Sequence, residues 1–364
     1  MTETVGDVLL ESLGWQHERI HCVDDPASGL RAVIAIHSTV LGPSLGGMRI
    51  RRYEHGLAEA LDDALRLSRA MTLKASAAGL DLGGGKAVVI DDGSCDDARR
   101  RARLVALARE IERLDGAYIT GEDIGTTTSD MDLVAEHTRH VIGRSVHDGV
   151  GGDPSPATAR TVLGAIQAAL EVLAGDALAG RTVGVIGLGK VGAQLAEWLL
   201  EAGVRVIGCD PVAETVQRLA AAGMEPAASA EDVCGARLDV LAPCAVGGMV
   251  DEATAARLQC DVVCGAANNP LTGRAAAELL ASRGILYVPD FLSNCGGLIH
   301  ADGERRGKAD ADALERALAD AQARTRDVLL EACESGRLPS DVAEAQAWSR
   351  IERARTERAA GVLA

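Results

Sequence analysis

Short β-branched runs alternate with helix-spaced segments along most of the chain. "LRAVIAIH" (30–37) and "KAVVI" (86–90) are brief and rich in Val and Ile, and both read as strands. Between them, "LAEALDDALRLSRAMTLKA" (57–75) repeats Leu57, Leu61, Ala64 and Leu65 at three- and four-residue steps, which predicts an amphipathic helix. "DARRRARLVALAREIERL" (97–114) predicts another, followed by a short strand at "AYIT" (117–120). Five apolar runs follow in the second half: 181–187, 204–210, 238–243, 260–266 and 285–289. Helical stretches separate them, the pattern of a doubly wound parallel sheet.

Two domains are expected: residues 1–150, and a Rossmann-type domain over 151–305. The Gly- and Pro-punctuated "GGDPSP" (151–156) is the hinge, before a helix starting near Ala157. Residues 306–364 read as charged helices that pack back across the domains or cap the second. The 364 residues are 47% hydrophobic but only 2% aromatic, so both cores must be built mainly from Ala, Val and Leu. A net charge of −16 argues against a nucleic-acid binder, which needs clustered cations. Nine cysteines without a CxxC pair read as reduced thiols, and neither a metal site nor a disulfide framework is expected. The acidic start "MTETVGDVLLESLGW" lacks the form of a secretory leader, and no apolar run is long enough to span a membrane. The expected setting is cytoplasmic.

"VGVIGLGKVGAQLAEWLLEAGVRVIGCD" carries Gly187, Gly189 and Gly192 in GxGxxG spacing. The motif follows a strand, opens a helix, and is answered at the end of the next strand by Asp210. Gly187 permits the tight turn, Gly189 the approach of backbone amides to a pyrophosphate, and Gly192 close helix–strand packing. The cofactor loop thus runs through Gly187, Leu188, Gly189, Lys190, Val191 and Gly192, at a helix N-terminus that favours anions. Asp210 accepts from ribose hydroxyls and repels a 2′-phosphate, so NAD is expected rather than NADP.

"GLDLGGGKAVVI" (79–90) puts three glycines ahead of Lys86, read either as a tight turn or as a loop passing close to a small ligand. Lys74 lies twelve residues earlier in an equally apolar stretch. Taken singly, each lysine also fits a surface residue with a buried stem. Brought together in a cleft they would lower each other's proton affinity, freeing one as a base while the other holds an anion. Asp123, in "TGEDIGTTTSD", either joins such a cleft or caps the following helix.

"LGPSLGGMRI", "MTLKASAAGLDLGGGKAVVI", "TGEDIGTTTSDMD", "GDPSPATA", "GLGKVG", "LAPCAVGGMV", "GAANNPL" and "YVPDFLSNCGGLIH" occur in an order that resembles the leucine/valine/phenylalanine branch of the glutamate dehydrogenase superfamily. The resemblance spans roughly residues 30–305. It implies an N-terminal α/β substrate domain, a C-terminal NAD domain, a cleft between them and a homo-oligomer, with "LRAVIAIH" a candidate to pair across the first domain's interface. It further implies Lys86 as catalytic base, Lys74 on the substrate carboxylate, and Asp123 relaying protons to the substrate amine. Gly46 and Gly47 fall in the substrate-binding segment, Asn268 where substrate and nicotinamide ribose meet, and Thr158 and Asn294 beside the nicotinamide carboxamide. The implied reaction converts an L-amino acid to a 2-oxo acid and ammonia.

Where the glutamate branch holds a distal carboxylate, this chain has positions near Leu45 and Ala301, and Leu298 is a further expected wall. Burying an unpaired carboxylate there costs several kcal/mol, so an apolar substrate is expected: leucine, valine or isoleucine, or alternatively an aromatic amino acid such as phenylalanine. Cys295 and Leu73 depart from the family's usual alanine and tyrosine. Remoter readings are an inactive NAD-binding regulator and a hydroxy-acid oxidoreductase. The second commonly needs a histidine base, and His21, His37 and His55 all precede the first lysine.

Overall fold

The structure is a computed structural model describing residues 16–93, 96–146, 151–175, 178–307 and 310–360, so the acidic start at 1–15 lies outside the described residues. The chain divides into two compact units: Met1–Gly152 with Ala301–Ala309 and Ala347–Ala364, and Asp153–His300 with Asp310–Gln346.

The first unit is built on a six-stranded mixed sheet: β1 (Arg19–Asp25), β2 (Leu30–Ser38), β3 (Ser44–Leu45), β4 (Met48–Arg51), β5 (Gly83–Ile90) and β6 (Tyr118–Ile119). The order is β1-β2-β5-β3-β6, with β4 pairing to β5. Helix α1 (Leu57–Ala77) packs on one face, and α2 (Asp97–Arg113) with α3 (Thr128–Ala135) on the other. Alternation along β5 decides which side chains go where. Val88 joins Val33, Ala64 and Leu65 under α1, while Ala87 and Val89 join Leu104, Leu107 and Tyr118 under α2. Strand β2 is flanked by β1 and β5, so the expectation that "LRAVIAIH" pairs across a dimer is overturned; among the described residues, β1 is the strand at that end of the sheet.

The three glycines before Lys86 are neither a turn nor a loop: they are the first residues of β5. A Cβ on Gly83 would lie 1.7 Å from the Ser38 carbonyl oxygen, and one on Gly84 2.1 Å from the backbone nitrogen of Thr72. One on Gly85 would strike the Tyr118 ring at 2.5 Å. Their absence of side chains lets β5 press against β2, α1 and β6, and this packing answers why the glycines are there.

The second unit carries the doubly wound sheet expected from the sequence. After α4 (Ser155–Ala174) come β7 (Thr182–Ile186), α5 (Lys190–Glu201), β8 (Arg205–Cys209), α6 (Ala213–Ala221) and β9 (Glu225–Pro226). Then follow α7 (Ala230–Gly235), β10 (Val240–Pro243), α8 (Glu252–Arg257), β11 (Val262–Val263), α9 (Arg274–Ser282) and β12 (Leu286–Tyr287). The strands are all parallel, in the order β12-β11-β10-β7-β8-β9, so the order reverses beside β7. Helices α10 (Asp290–Ser293), α11 (Gly296–Arg305), α12 (Ala311–Ser335) and α13 (Pro339–Ala359) complete the chain. Among the described residues, no helix is long and apolar enough to cross a membrane.

Gly84→Ala is expected to destabilise the first unit by about 1–3 kcal/mol, because the clash is with α1 backbone, which cannot rotate away. Urea unfolding of the variant checks this; a loss below about 1 kcal/mol would show that the strand–helix contact is slack.

Candidate active site

Lys86 lies on the α1 face of β5, alternating with Gly84 and Val88, opposite Ala35 of β2. It is only 5% exposed, and its Nζ lies 2.8 Å from Oδ2 of Asp123. Asp123 follows β6, in a loop tied down by Thr126: the Asp123 amide donates to Thr126 Oγ1 at 2.9 Å, and that hydroxyl donates to the Met48 carbonyl at 3.1 Å. Gly47 lets this loop close, since a Cβ there would meet the Glu122 carbonyl oxygen at 2.4 Å and Asp123 Cβ at 2.8 Å. Gly46 has the same kind of constraint against the Gly85 carbonyl, at 1.8 Å. The alternative role for Asp123, capping the next helix, falls to Thr127, which forms a capping box with Asp130 at the start of α3.

Sequence reasoning missed Arg49. Its Nε donates to the same Asp123 Oδ2 at 2.8 Å, and its Nη1 donates to Asp63 Oδ2 at 3.0 Å. Asp63, on α1 and 7% exposed, also accepts from Tyr53 Oη at 2.8 Å and from Arg66 Nη2 at 2.6 Å. The only sequence signal was an acid on the buried face of a predicted amphipathic helix, because charged groups are seldom buried without partners.

Burial pushes the Lys86 amine below its ordinary lysine value; the Asp123 carboxylate opposes that, and Arg49 adds to it. Arg49 is thus a neighbouring cation that lowers it, an effect that the sequence suggests for Lys74. Burial pushes the Asp123 carboxyl up, but Lys86 and Arg49 more than reverse this and hold it below the usual carboxylate range. Lys74 sits on α1, about three turns after Asp63, and is half-buried. Leu45, on β3, is buried.

In the second unit Gly187 takes φ +94° at the end of β7, and Gly192 packs so closely that a Cβ would lie 1.9 Å from the Gly187 carbonyl oxygen. Gly189 differs: its φ is an ordinary −67°, and a Cβ there would meet nothing within 4 Å. Neither conformation nor packing calls for glycine at this position, whereas a ligand approaching the backbone would. No side chain caps α5, whose N-cap is Gly189, so its first-turn amides are available to an anion. Asp210 lies at the end of β8, its Oδ2 accepting from the Leu188 amide at 2.7 Å and its Oδ1 from the Val212 amide at 2.8 Å. Lys190 is exposed and pairs with Asp153 at 3.0 Å, and Val191 is half-buried. These residues fit a dinucleotide.

Asn294, 4% exposed, donates from Nδ2 to Asn268 Oδ1 at 2.9 Å and to the Ala266 carbonyl at 3.0 Å, so the two predicted asparagines meet. Gly296 packs on α4 and donates to Thr161 Oγ1 at 3.1 Å, while Gly297 leaves room beside Thr158 Oγ1. Leu298, buried, and Ala301, half-buried, are three residues apart on α11, about one turn.

A lysine buried against one carboxylate weakens the fold that carries it. Lys86→Met leaves Asp123 paired with Arg49, so stability at pH 7 is expected to hold or rise by up to about 2 kcal/mol. The native lysine has a lowered folded pKa, so the unfolded chain binds the extra proton between that value and the ordinary lysine value near 10.4. Rising pH through that window therefore stabilises the native chain relative to the variant, and the variant's advantage should shrink. Urea unfolding at several pH values checks both; a variant less stable by more than about 2 kcal/mol would contradict them.

Comparison with known proteins agrees across both units. Residues 17–140 match the family described as Glu/Leu/Phe/Val dehydrogenase, dimerisation domain, and residues 210–325 match Glutamate/Leucine/Phenylalanine/Valine dehydrogenase. Residues 159–244 match the NAD binding domain of D-isomer specific 2-hydroxyacid dehydrogenases, a likeness confined to the nucleotide domain. The chain is 41% identical to the leucine dehydrogenase of Geobacillus stearothermophilus, covering 80% of this chain and 79% of that protein. It is 43% identical to the valine dehydrogenase of Streptomyces virginiae, covering 93% and 95%. The solved L-tryptophan dehydrogenase from Nostoc punctiforme superposes with a TM-score of 0.85 at 32% identity, over 96% of this chain and 99% of that one. With an NAD-binding domain, a buried lysine–aspartate pair and relatives of this identity, the chain belongs to the Glu/Leu/Phe/Val dehydrogenase family of amino acid oxidoreductases.

Proposed function

We propose that this chain oxidatively deaminates an apolar L-amino acid to the 2-oxo acid and ammonia, reversibly, with NAD as hydride acceptor. The observation that carries this reading is Lys86: an amine 5% exposed, on a strand packed too tightly to shift, held 2.8 Å from a carboxylate. Gly187, Leu188, Gly189, Lys190, Val191, Gly192 and Asp210 hold the pyrophosphate and adenosine ribose; Thr158, Asn268 and Asn294 hold the nicotinamide end. A bound NAD would supply a hydride acceptor at the substrate Cα, where loss of hydride from the amine form gives an electrophilic iminium carbon.

The residues of the first unit then act on that carbon. Lys74 anchors the substrate carboxylate, orienting Cα. Lys86 Nζ, its proton affinity lowered by burial, takes a proton from water as that water adds to the iminium carbon. Asp123, held ionised by two cations, stabilises the positive nitrogen and relays to it the proton taken up by Lys86. The C–N bond then breaks as the carbinolamine hydroxyl passes its proton to Lys86 and becomes the carbonyl of the 2-oxo acid, and ammonia leaves. Backbone at Gly46 and Gly47 lines the substrate in the first unit, with Leu45 and Ala301 as walls of its side-chain pocket.

None of these wall residues can pair a distal carboxylate, which supports leucine, valine or isoleucine over glutamate, as do relatives named leucine and valine dehydrogenase. The likeness to a tryptophan dehydrogenase and the small side chain at Ala301 favour an aromatic substrate as a second reading. A cytoplasmic homo-oligomer is part of the same proposal, supported by the match to a dimerisation domain.

Lys86→Ala is expected to lower turnover about a thousandfold or more while NADH titration shows cofactor affinity within about twofold of the native chain. Near-native turnover would remove Lys86 from the chemistry. Gly189→Ala should fold with unchanged stability yet bind NAD about tenfold more weakly, because the added methyl stands where the pyrophosphate approaches the amides. Unchanged affinity would remove the dinucleotide from that turn.

A further inference from the structure

Lys86, Asp123, Arg49, Asp63 and Arg66 form a row of alternating charge across three elements and a loop. Arg49 is its middle member, and its guanidinium grips a different carboxylate at each end. Nε lies 2.8 Å from Asp123 Oδ2, and Nη1 lies 3.0 Å from Asp63 Oδ2. Lysine, a point donor on a flexible stem, cannot bridge two carboxylates in fixed geometry as this planar fork does. Asp63 is in turn fixed by Tyr53 and Arg66.

We propose that Arg49, anchored by Asp63, is a positioning residue for the deamination: it keeps Asp123 in place and ionised while Lys86 gains and loses its proton. This rests on the reading of Lys86 as the base. Two consequences of the geometry support it. Arg49 and Lys86 share one carboxylate oxygen, so Asp123 retains a charged partner whenever Lys86 is neutral. Counted without the lysine proton, the two carboxylates and two guanidiniums cancel, so the proton on Lys86 is the unbalanced charge of the row. Arg49 stays protonated at every accessible pH and therefore acts as a constant bias against that proton. Asp63 acts in the opposite sense, through its negative charge.

Strand β2 presents Ala35 across from Lys86 and carries His37, which burial and His17 push down to about 3, leaving it neutral in the working range. Helix α1 supplies Asp63, Arg66 and Lys74, strand β4 supplies Arg49, and the β6–α3 loop supplies Asp123 with exposed Glu122 at its side.

The test compares the pH dependence of kcat/KM for L-leucine in the native chain, R49M, R49K and D63N. The acid limb, where Lys86 must lose its proton, should move up by about one pH unit in R49M and down in D63N. R49K keeps the charge and should restore the native limb while kcat stays depressed, because the bridge is broken. Competitive acylation of Lys86, read by peptide mass spectrometry across pH, should give the same order of proton affinities without turnover. Superimposed limbs and superimposed acylation curves in all variants would overturn the inference. Ordered acylation curves in a chain that deaminates no amino acid would instead sink the deaminase reading and keep the charge coupling. Should R49M fail to fold, the downward shift in D63N decides.

Discussion

A single carboxylate oxygen, Oδ2 of Asp123, takes both Lys86 and Arg49, and the candidate site depends on that sharing. Burial disfavours the charged form of the lysine, and the carboxylate alone would oppose that. The second cation adds to the effect of burial. It binds Asp123 independently of the lysine and weakens the hold of the carboxylate on the lysine proton. What fixes Asp123 in space is the Thr126 turn and the bare backbone at Gly47, and what fixes Arg49 is Asp63 on α1. The site is thus assembled by contacts between β4, β5, α1 and one loop.

Glycine contributes to this in two distinguishable ways. At Gly46, Gly47, Gly83, Gly84 and Gly85 an added Cβ would collide with neighbouring backbone or, at Gly85, with Tyr118 and Ser44. There, glycine is the condition for β5 to lie tightly enough to carry a buried amine. At Gly189 an added Cβ would meet nothing and the backbone torsion is ordinary, so neither packing nor conformation requires glycine there. The first unit carries the buried Lys86–Asp123 pair, and the second carries the glycine turn of the NAD-binding domain.

Much of this is legible in the sequence because it is local. The strand–GxGxxG–helix–Asp arrangement lies within one stretch of chain, and its turn, helix start and terminal carboxylate follow from spacing alone. The apolar runs of β2, β7, β8 and β10 are legible for the same reason. Strands β1 and β9 escape because neither has a buried residue: β1 mixes exposed with half-buried positions, and both residues of β9 are exposed. Arg49 and Asp63 escape for a different reason: they are fourteen residues apart and find each other only through the fold. The triple glycine reads as a loop because propensity disfavours it in a strand, yet the close approach of β2, α1 and Tyr118 overrides propensity. The pairing of Lys86 with Asp123 follows from motif resemblance, and no local signal within either segment predicts it.

A proton-handling lysine in the first unit and a nucleotide turn in the second must serve one reaction if the assignment is right. The most direct measurement is NADH formation at alkaline pH with L-leucine, L-valine, L-isoleucine, L-phenylalanine, L-tryptophan and L-glutamate, with lactate and malate as controls. Rapid NADH formation from at least one apolar amino acid is expected, with little from glutamate or either hydroxy acid. Formation from a hydroxy acid with none from any amino acid would contradict the assignment.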